Sequence, residues 1–237
     1  RSQMSNQTYG LSRTTIKQRI QATAQICRLL LLMLAVICLQ SIAAMSAGKD
    51  QQAIKLMVFG DSLTAGYGLA AKDAFPVQLQ RALHDRGHAV TVINAGVSGD
   101  TTAGGRARLA WSLSEQPDAI IVELGANDGL CGIDPAETLD NLMAIVATLK
   151  QAGVPTLLAG MQAPPNMGRG FGDEFNKIFD IVARHHGVDL YPFFLDGVAA
   201  QQSLNQSDGI HPNATGVGIV VERILPAVER LLASLEK

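Results

Sequence analysis

The stretch KLMVFGDSLT, residues 55–64, decides how the rest of the chain is interpreted. Its apolar run ends at Gly60, and a short apolar segment closed by a glycine is typical of a buried strand that enters a turn. Ser62 follows two residues later. In open α/β sheets, ligands and reactive groups lie beyond the carboxyl ends of the strands. The stretch therefore predicts a serine hydroxyl presented at one edge of a sheet.

Short apolar runs alternate with amphipathic segments along the rest of the chain. The predicted strands cover residues 54–59, 89–93, 119–124, 155–159 and 188–191. The predicted helices cover residues 75–86, 101–113, 135–151, 171–186 and 215–235. The last helix contains Pro226, near which we expect a bend or a restart. Strands that alternate with helices predict an α/β fold, a three-layer αβα sandwich around a mainly parallel sheet of about five strands.

The first 47 residues differ from the rest of the chain in charge and hydropathy. No acidic residue precedes Asp50, whereas six basic residues do, and small residues follow the apolar run LLLLMLAVICL at 29–39. This order is typical of a secretory signal peptide, and the run is shorter than the roughly 20 residues of a membrane span. We therefore predict that residues 1–47 are an export signal and residues 48–237 one domain. The mature protein is then expected to be periplasmic or secreted, without a stable membrane span; an uncleaved N-terminal anchor is the alternative.

Composition narrows the classes of function. Of the 237 residues, 47% are hydrophobic and 17% are charged, which indicates a packed core, and the net charge of −2 gives no reason to expect a nucleic-acid partner. Cys131 is the one cysteine outside the predicted export signal, so we expect no internal disulfide and a partly buried thiol. Four of the five histidines form two neighbouring pairs, His84 with His88 and His185 with His186, for which we expect solvated surface positions and no metal site.

Polar segments that contain glycine follow the first three predicted strands and precede the last predicted helix. They are GDSL at 60–63, NAGVSGDT at 94–101, GANDG at 125–129 and SDGIHPN at 207–213. Because crossovers between parallel strands are right-handed, the loops that follow the strands share one edge of the sheet. We therefore expect the four segments to meet in one site.

These segments contain the groups that acyl transfer requires. The hydroxyl of Ser62 is a weak nucleophile and needs a base, which His211 can supply. Asp208, three residues before His211, can orient the imidazole. The backbone N–H groups of Ser62 and Gly99 and the side-chain amide of Asn127 can donate to the oxyanion of a tetrahedral intermediate.

The four segments resemble, in residue type and in order, the signature blocks of the SGNH (GDSL) serine hydrolases. Longer blocks such as GDSLTAGY at 60–67 and DGIHPN at 208–213 are similar to the periplasmic acyl-CoA thioesterase I, lysophospholipase L1 and arylesterase group. The resemblance implies the flavodoxin-like SGNH-hydrolase fold over residues 48–237. It also implies the roles proposed above: Ser62 as nucleophile, Asp208 and His211 as its partners, and Gly99 and Asn127 in the oxyanion hole.

The same resemblance implies an activity. The expected enzyme is a serine esterase or thioesterase that hydrolyses aryl esters, acyl thioesters and lysophospholipids through an acyl-serine intermediate, with no metal or organic cofactor. Its partner is then a small-molecule acyl ester or thioester. Four residues are expected to wall the acyl cleft, namely Gly129, Leu130, Ala163 and Pro164. Ala126 stands where this group commonly has glycine, and we expect the change only to trim the pocket.

The sequence also allows other hypotheses about function. An acetyl-glycan esterase of the same family would carry the same blocks, and a non-catalytic acyl- or glycan-binding module could keep the scaffold. The segment GYGLAA at 66–71 weakly resembles a dinucleotide-binding fingerprint, but it lies several residues beyond its strand. Thr64 occupies the place of the second glycine of a lipase-type G-x-S-x-G elbow, which disfavours that fold. The residues Asp61 and Asp128, which neighbour the candidates, are predicted to be structural hydrogen-bond partners within their turns.

Overall fold

A parallel five-stranded sheet is the centre of the described part of the chain, which comprises Met33 and residues 53–236 of the computed structural model. The strands are β1 (Ile54–Gly60), β2 (Val90–Gly96), β3 (Ala119–Glu123), β4 (Thr156–Ala159) and β5 (Asp189–Tyr191). Their order is β2-β1-β3-β4-β5, and every neighbouring pair is parallel. This is the order of flavodoxin-like doubly wound sheets, whose ligand crevice lies at the carboxyl edge between β1 and β3.

Helices cover the sheet on both faces. In chain order they are α1 (Ser62–Ala65), α2 (Phe75–Asp85), α3 (Thr102–Ser112), α4 (Ala126–Cys131), α5 (Pro135–Gln151), α6 (Arg169–Phe175), α7 (Ile178–His186) and α8 (Ala214–Ala233). Short 3₁₀ turns occur at Ala71–Asp73, Leu113–Glu115, Pro165–Met167, Gln202–Leu204 and Ser234–Glu236. One layer is formed by α2 packed on α8, and the other by α3, α5 and α7 packed in succession. The predicted three-layer sandwich is therefore confirmed.

The core is built on the two central strands. Residues 56–59 of β1 and 119–122 of β3 have no exposed surface, because both faces of each strand are covered by helices. Full burial of a side chain such as Leu56 stabilises the fold by about 1.5–3 kcal/mol. The register pairs Gly60 at the end of β1 with Gly96 of β2 and Glu123 of β3. The loops that follow these three strands consequently start side by side.

Several boundaries differ from the sequence prediction. The predicted helix at 171–186 is two helices, α6 and α7, separated by Asn176 and Lys177. The Oδ1 atom of Asn176 accepts the N–H of Ala163 at 2.8 Å, so this side chain serves the preceding loop at the position where the helix breaks. The segment after β3, predicted as a loop, forms the short helix α4, and α8 continues through Pro226 without a restart.

The predicted export signal at residues 1–47 lies, apart from Met33, outside the described residues. The residues from 52 onward form a compact unit of their own. Among the described residues, no helix combines the length and the apolar character that a bilayer crossing requires.

Candidate active site

The nucleophile candidate lies on a tight turn between β1 and α1. Asp61 caps α1 by accepting the N–H of Leu63 through Oδ1 at 2.9 Å, and Ser62 is the first residue of that helix with 8% of its surface exposed. A Cβ on Gly60 would lie 2.1 Å from Thr64 Oγ1 and 2.6 Å from the Glu123 carbonyl oxygen. The turn therefore requires a glycine at position 60, since no larger residue fits beneath the serine.

A continuous chain of hydrogen bonds joins Ser62 to the loop that precedes α8. His211 Nε2 lies 2.9 Å from Ser62 Oγ, and His211 Nδ1 lies 2.8 Å from Asp208 Oδ2. An ionised carboxylate can only accept, so Nδ1 carries the proton of the neutral imidazole and Nε2 presents a lone pair to the serine hydroxyl. The structure thus brings together the three residues that the sequence proposed as a triad, with the geometry that general-base activation of a serine requires.

The loop that carries Asp208 is held by its own backbone. Asp208 Oδ1 accepts the backbone N–H of Ile210 at 2.9 Å and that of His211 at 3.0 Å. These two bonds and the bond to the imidazole lower the pKa of Asp208 to about 2. The carboxyl is therefore ionised at neutral pH and can stabilise a positive charge on His211.

The second and third loops meet at Asn127. Its Nδ2 donates to the carbonyl oxygen of Asp100 at 2.8 Å and to Asp61 Oδ2 at 3.2 Å. Gly99 adopts φ +85°, and a Cβ at this position would meet no atom within 4 Å, so open space adjoins its backbone. Within the described part of the chain, the N–H groups of Ser62 and Gly99 donate to no protein acceptor. These two groups are therefore free to donate to an external oxyanion. Both N–H bonds of the Asn127 amide already have protein acceptors, so Asn127 can join them only by giving up one of these bonds.

Buried carboxyl groups support the turn from below. Asp61 has no exposed surface, and burial raises its pKa to about 6. Glu123 at the end of β3 is also fully buried; its Oε2 accepts Thr64 Oγ1 at 2.8 Å and the N–H of Asp61 at 3.4 Å. Burial, followed by the charge of Asp61, raises the pKa of Glu123 well above its ordinary value. The prediction that Asp61 acts as a structural hydrogen-bond partner of its turn is confirmed.

Asp128 anchors the third loop in the same way. Its carboxylate accepts the N–H of Thr102 at 2.9 Å, the hydroxyl of Thr102 and the hydroxyl of Thr138 at 3.2 Å. The side chain is fully buried. It thereby ties α4 to the first turns of α3 and α5. The predicted structural role is confirmed, but the partners lie on two other helices and not within the turn of Asp128.

The GDSL-like lipase/acylhydrolase family model matches residues 58–219, well over half of the chain. The chain belongs to this family. "Esterase TesA" of Pseudomonas aeruginosa is 40% identical over 178 residues, which cover 75% of this chain and 89% of the relative. The arylesterase of Vibrio mimicus is 41% identical over 164 residues, or 69% and 82% of the two chains. "Thioesterase 1/protease 1/lysophospholipase L1" of Escherichia coli K12 is 41% identical over 159 residues, or 67% and 75%.

Solved structures agree with this assignment. A crystal structure of TesA matches with a TM-score of 0.72 at 39% identity, over 75% of this chain and 99% of that one. AlinE4, described as an esterase of the SGNH-hydrolase family, matches with a TM-score of 0.65 at 43% identity, over 76% and 97%. The psychrotrophic esterase EstA from Pseudoalteromonas, inhibited by monoethylphosphonate, matches with a TM-score of 0.72 at 29% identity, over 76% and 98%. This GDSL-family member is accordingly a hydrolase of the esterase and thioesterase type with the SGNH-hydrolase fold.

The residues predicted to wall the acyl cleft of this GDSL-family hydrolase lie on two neighbouring segments. A Cβ on Gly129 would lie 3.3 Å from Pro164 Cδ, so the loop after β3 packs against the turn after β4. Leu130 is 44% exposed, and Ala163 is half-buried against the core. Cys131, which follows Leu130, is exposed, so the prediction of a partly buried thiol is wrong. It occupies the last position of α4, which ends at Gly132 in the left-handed conformation.

A groove larger than the cavity beside Ser62 lies in another part of this GDSL-family hydrolase. This groove of about 380 Å³ lies at the amino ends of β4 and β5, far along the sheet from Ser62, whereas the cavity beside Ser62 measures about 10 Å³. The groove is lined by a histidine and a serine, but Ser234 Oγ donates to the carbonyl oxygen of Leu231 and His186 Nε2 has no hydrogen-bond partner in the described part of the chain, so the two do not form a nucleophile–base pair. We therefore place the site by its convergent polar groups. Among the described residues, no cluster of three or more metal-ligating side chains is found.

Sequence reasoning missed several supporting residues. Glu123 could have been suspected, because it is the one charged residue in the apolar run AIIVEL. Arg108 gave no comparable signal; it donates to the carbonyl oxygens of Gly60 and Ala95, both at 2.9 Å, and pairs with Asp100. The guanidinium of Arg108 therefore joins the ends of β1 and β2 to the second loop.

Proposed function

We propose that the chain is an exported serine esterase and thioesterase that hydrolyses aryl esters, acyl thioesters and lysophospholipids through an acyl-Ser62 intermediate. The observation that carries this proposal is the hydrogen-bonded chain from Ser62 Oγ to His211 Nε2 and from His211 Nδ1 to Asp208. The names of the relatives, which include an arylesterase and a thioesterase 1/lysophospholipase L1, support the substrate classes.

In the proposed acylation step, Ser62 Oγ attacks the acyl carbonyl while His211 Nε2 takes the hydroxyl proton. Ionised Asp208 holds Nδ1–H and stabilises the imidazolium that forms. The N–H groups of Ser62 and Gly99 donate to the oxyanion, and the amide of Asn127 joins them by exchanging one of its two protein acceptors for the oxyanion. The intermediate collapses when His211 returns the proton to the leaving alcohol or thiol, and an ester bond joins the acyl group to Ser62.

In the proposed deacylation step, His211 removes a proton from a water molecule that attacks the acyl-enzyme. The second tetrahedral intermediate uses the same oxyanion donors and releases the acid and the free hydroxyl of Ser62. Every proton passes through His211, so the proposed reaction needs no metal or organic cofactor. We further propose that Gly129, Leu130, Ala163 and Pro164 contact the acyl chain.

Export is proposed from the basic and apolar order of residues 1–47. The small-molecule nature of the substrate agrees with the esterase names of the relatives. An acetyl-glycan esterase is the second candidate, because an acetylxylan esterase is 26% identical over 76% of this chain, although the match covers only 44% of that relative. A series of p-nitrophenyl esters, acyl-CoAs, lysophospholipids and acetylated xylan, assayed on one preparation, separates the two candidates.

The test of the proposed function is the variant Ser62→Ala. It should lower kcat for p-nitrophenyl ester and acyl-thioester hydrolysis by about 10⁶-fold, because the nucleophile is removed. It should also abolish covalent labelling by a fluorophosphonate, a reagent class suggested by the phosphonate-inhibited EstA structure. Intact-protein mass spectrometry measures that labelling directly.

The matched control is Ser98→Ala, since Ser98 is an exposed serine on the neighbouring loop. This variant should keep its turnover and its labelling. Turnover by Ser62→Ala within tenfold of the unsubstituted protein would overturn the proposed function.

A further inference from the structure

Gln206 lies between the two halves of the proposed site. It is half-buried and precedes Asp208 by two residues. Its Nε2 donates to the carbonyl oxygen of Tyr67 at 2.8 Å and to that of Pro212 at 3.1 Å. Tyr67 belongs to the segment that follows the nucleophile, and Pro212 directly follows His211. One amide therefore clamps the nucleophile segment to the loop of the base.

The backbone of Gln206 also closes the loop that carries the base. Its N–H donates to the carbonyl oxygen of His211 at 2.8 Å, and its own carbonyl oxygen accepts the N–H of Gly209 at 3.0 Å. Both acceptors of Nε2 are carbonyl oxygens, which cannot donate, so the orientation of the amide follows from the network. Gln206 thus contacts His211 through its main chain and Tyr67 through its side chain.

Besides the bond between Ser62 and His211, this clamp directly joins the nucleophile segment to the loop of the base. Among the described residues, the bonds that join residues 62–69 to residues 205–213 are those of Ser62 with His211 and of Gln206 with Tyr67. The N–H of Tyr67 in turn donates to the carbonyl oxygen of Ser62 at 3.1 Å. A shift of the clamp therefore passes to Ser62 through a single further hydrogen bond.

The local sequence makes room for the clamp. Gly68 adopts φ +72°, and a Cβ there would lie 2.2 Å from Gln206 Oε1. A left-handed glycine next to Tyr67 thus lets the amide approach the backbone closely. The ring of Tyr67 also lies 4.8 Å from the imidazole of His211, measured between centroids, so the clamped segment contacts the base directly.

We propose that Gln206 is a positioning residue that sets the distance between Ser62 and His211. The loop of the base is exposed, with 37% of the Asp208 side chain and 19% of the His211 side chain accessible, so hydrogen bonds hold it more than apolar packing does. A displacement of about 1 Å at a reacting pair can cost about 10²-fold in rate. This inference rests on the proposed function, because it assigns Gln206 to the Ser62–His211 pair.

The test compares Gln206→Ala and Gln206→Met with the same substitutions at Gln78. Gln78 is a matched control, since its Nε2 also donates to two carbonyl oxygens, those of Asp73 at 2.8 Å and Ala214 at 3.1 Å, outside the proposed site. Methionine keeps the length of glutamine but cannot donate, so Gln206→Met separates donation from the filling of space. The measurements are kcat, KM for a p-nitrophenyl ester, the rate constant of fluorophosphonate labelling and the melting temperature.

Both variants at position 206 should lower kcat and the labelling rate constant by about 10- to 100-fold while KM changes by less than about threefold. Both variants at position 78 should keep the labelling rate constant while losing a similar amount of melting temperature. If Gln206→Ala does not fold, the folded Gln206→Met variant decides.

Labelling rate constants at position 206 equal to those at position 78, or a loss confined to KM, would overturn the inference. In either case an inactive Ser62→Ala variant leaves the proposed function standing. An active Ser62→Ala variant would overturn the proposed function and this inference together.

Discussion

Asp61, which precedes the nucleophile, and Asp208, the acid of the proposed triad, occupy opposite environments. Asp61 is fully buried, and burial raises its pKa to about 6. The side chain of Asp208 is 37% exposed, and hydrogen bonds from the backbone of His211 and Ile210 lower its pKa to about 2. The two sides of the site are therefore held by different forces, the nucleophile turn by packing and the acid–base loop by hydrogen bonds.

The difference follows from where each segment starts. The nucleophile turn continues β1, whose residues 56–59 are completely buried, and it rests on Glu123. The acid–base loop lies outside the sheet, and polar side chains hold its ends: Asn205 donates to the carbonyl oxygens of Val198 and Gln201. Changes of volume should therefore matter most on the nucleophile side, and changes of hydrogen-bond chemistry most on the acid–base side.

The largest effect expected between the two sides is on the acid–base side. Asp208→Asn keeps an oxygen that can accept the N–H groups of Ile210 and His211, so the loop should survive. The new amide would either turn its NH2 group towards His211 Nδ1 or favour the tautomer that carries the proton on Nε2. In both cases His211 is a poorer base for Ser62, so kcat should fall by about 10⁴-fold. Steady-state kinetics and a melting curve of the same preparation measure the two effects separately.

The control for this variant is Asp196→Asn, which removes a carboxylate from the exposed pair with Arg223 and should leave kcat unchanged. A fall in kcat below tenfold for Asp208→Asn would contradict the assignment of hydrogen-bond chemistry as the force on this side.

The next effect compares two glycines. A Cβ on Gly60 would lie 2.1 Å from Thr64 Oγ1 and 2.5 Å from Glu123 Oε2, so Gly60→Ala should cost about 3 kcal/mol of unfolding free energy by overpacking. Gly209, in the acid–base loop, has φ +71° with no atom within 4 Å of a Cβ, so Gly209→Ala should cost about 1–2 kcal/mol by backbone strain alone. Urea denaturation measures both values, and an equal or larger loss at position 209 would break the comparison.

The smallest expected effect is a pH dependence of stability. The folded-state pKa values of Asp61 and Glu123 are raised, so between their unfolded and folded pKa values the folded protein binds more protons than the unfolded chain. The contribution of these two carboxyl groups to the unfolding free energy is complete below their unfolded-state pKa values of 3.8 and 4.5. It is lost as the pH rises through their folded-state pKa values. The glutamine of the Glu123→Gln variant cannot ionise. The unfolding free energy of this variant should therefore fall less steeply with increasing pH, by up to about 1.4 kcal/mol per pH unit.

Denaturation from roughly pH 5 to pH 8 measures this slope. The exposed Glu222→Gln variant is the control and should keep the slope of the unsubstituted protein. An unchanged slope in Glu123→Gln would show that burial does not hold a proton on Glu123.

Much of the site could be predicted because its parts are local in sequence. Glycine-bearing segments after the first three strands contained Ser62, Gly99 and Asn127, and the segment before the last helix contained Asp208 and His211. The α/β alternation predicted that these four loops share one edge. The five strands and the positions of the long helices were predicted correctly, whereas the short helices α1 and α4 were not. The break at Asn176 was also missed, because it depends on a hydrogen bond to a distant backbone group. The exposure of Cys131 was mispredicted for a related reason, since it depends on which residues of α4 the rest of the fold covers, and these are Asp128 and Gly129.

By itself, the sequence determined the fold class, the family and the order of the reactive residues, because apolar periodicity and short motifs are properties of neighbouring residues. Only the tertiary structure decided which groups support them. Glu123 lies 59 residues from its partner Thr64, and Gln206 lies 139 residues from its partner Tyr67. No local pattern encodes such pairs, since they form only when packing of the sheet and its helices brings separate segments within hydrogen-bond distance.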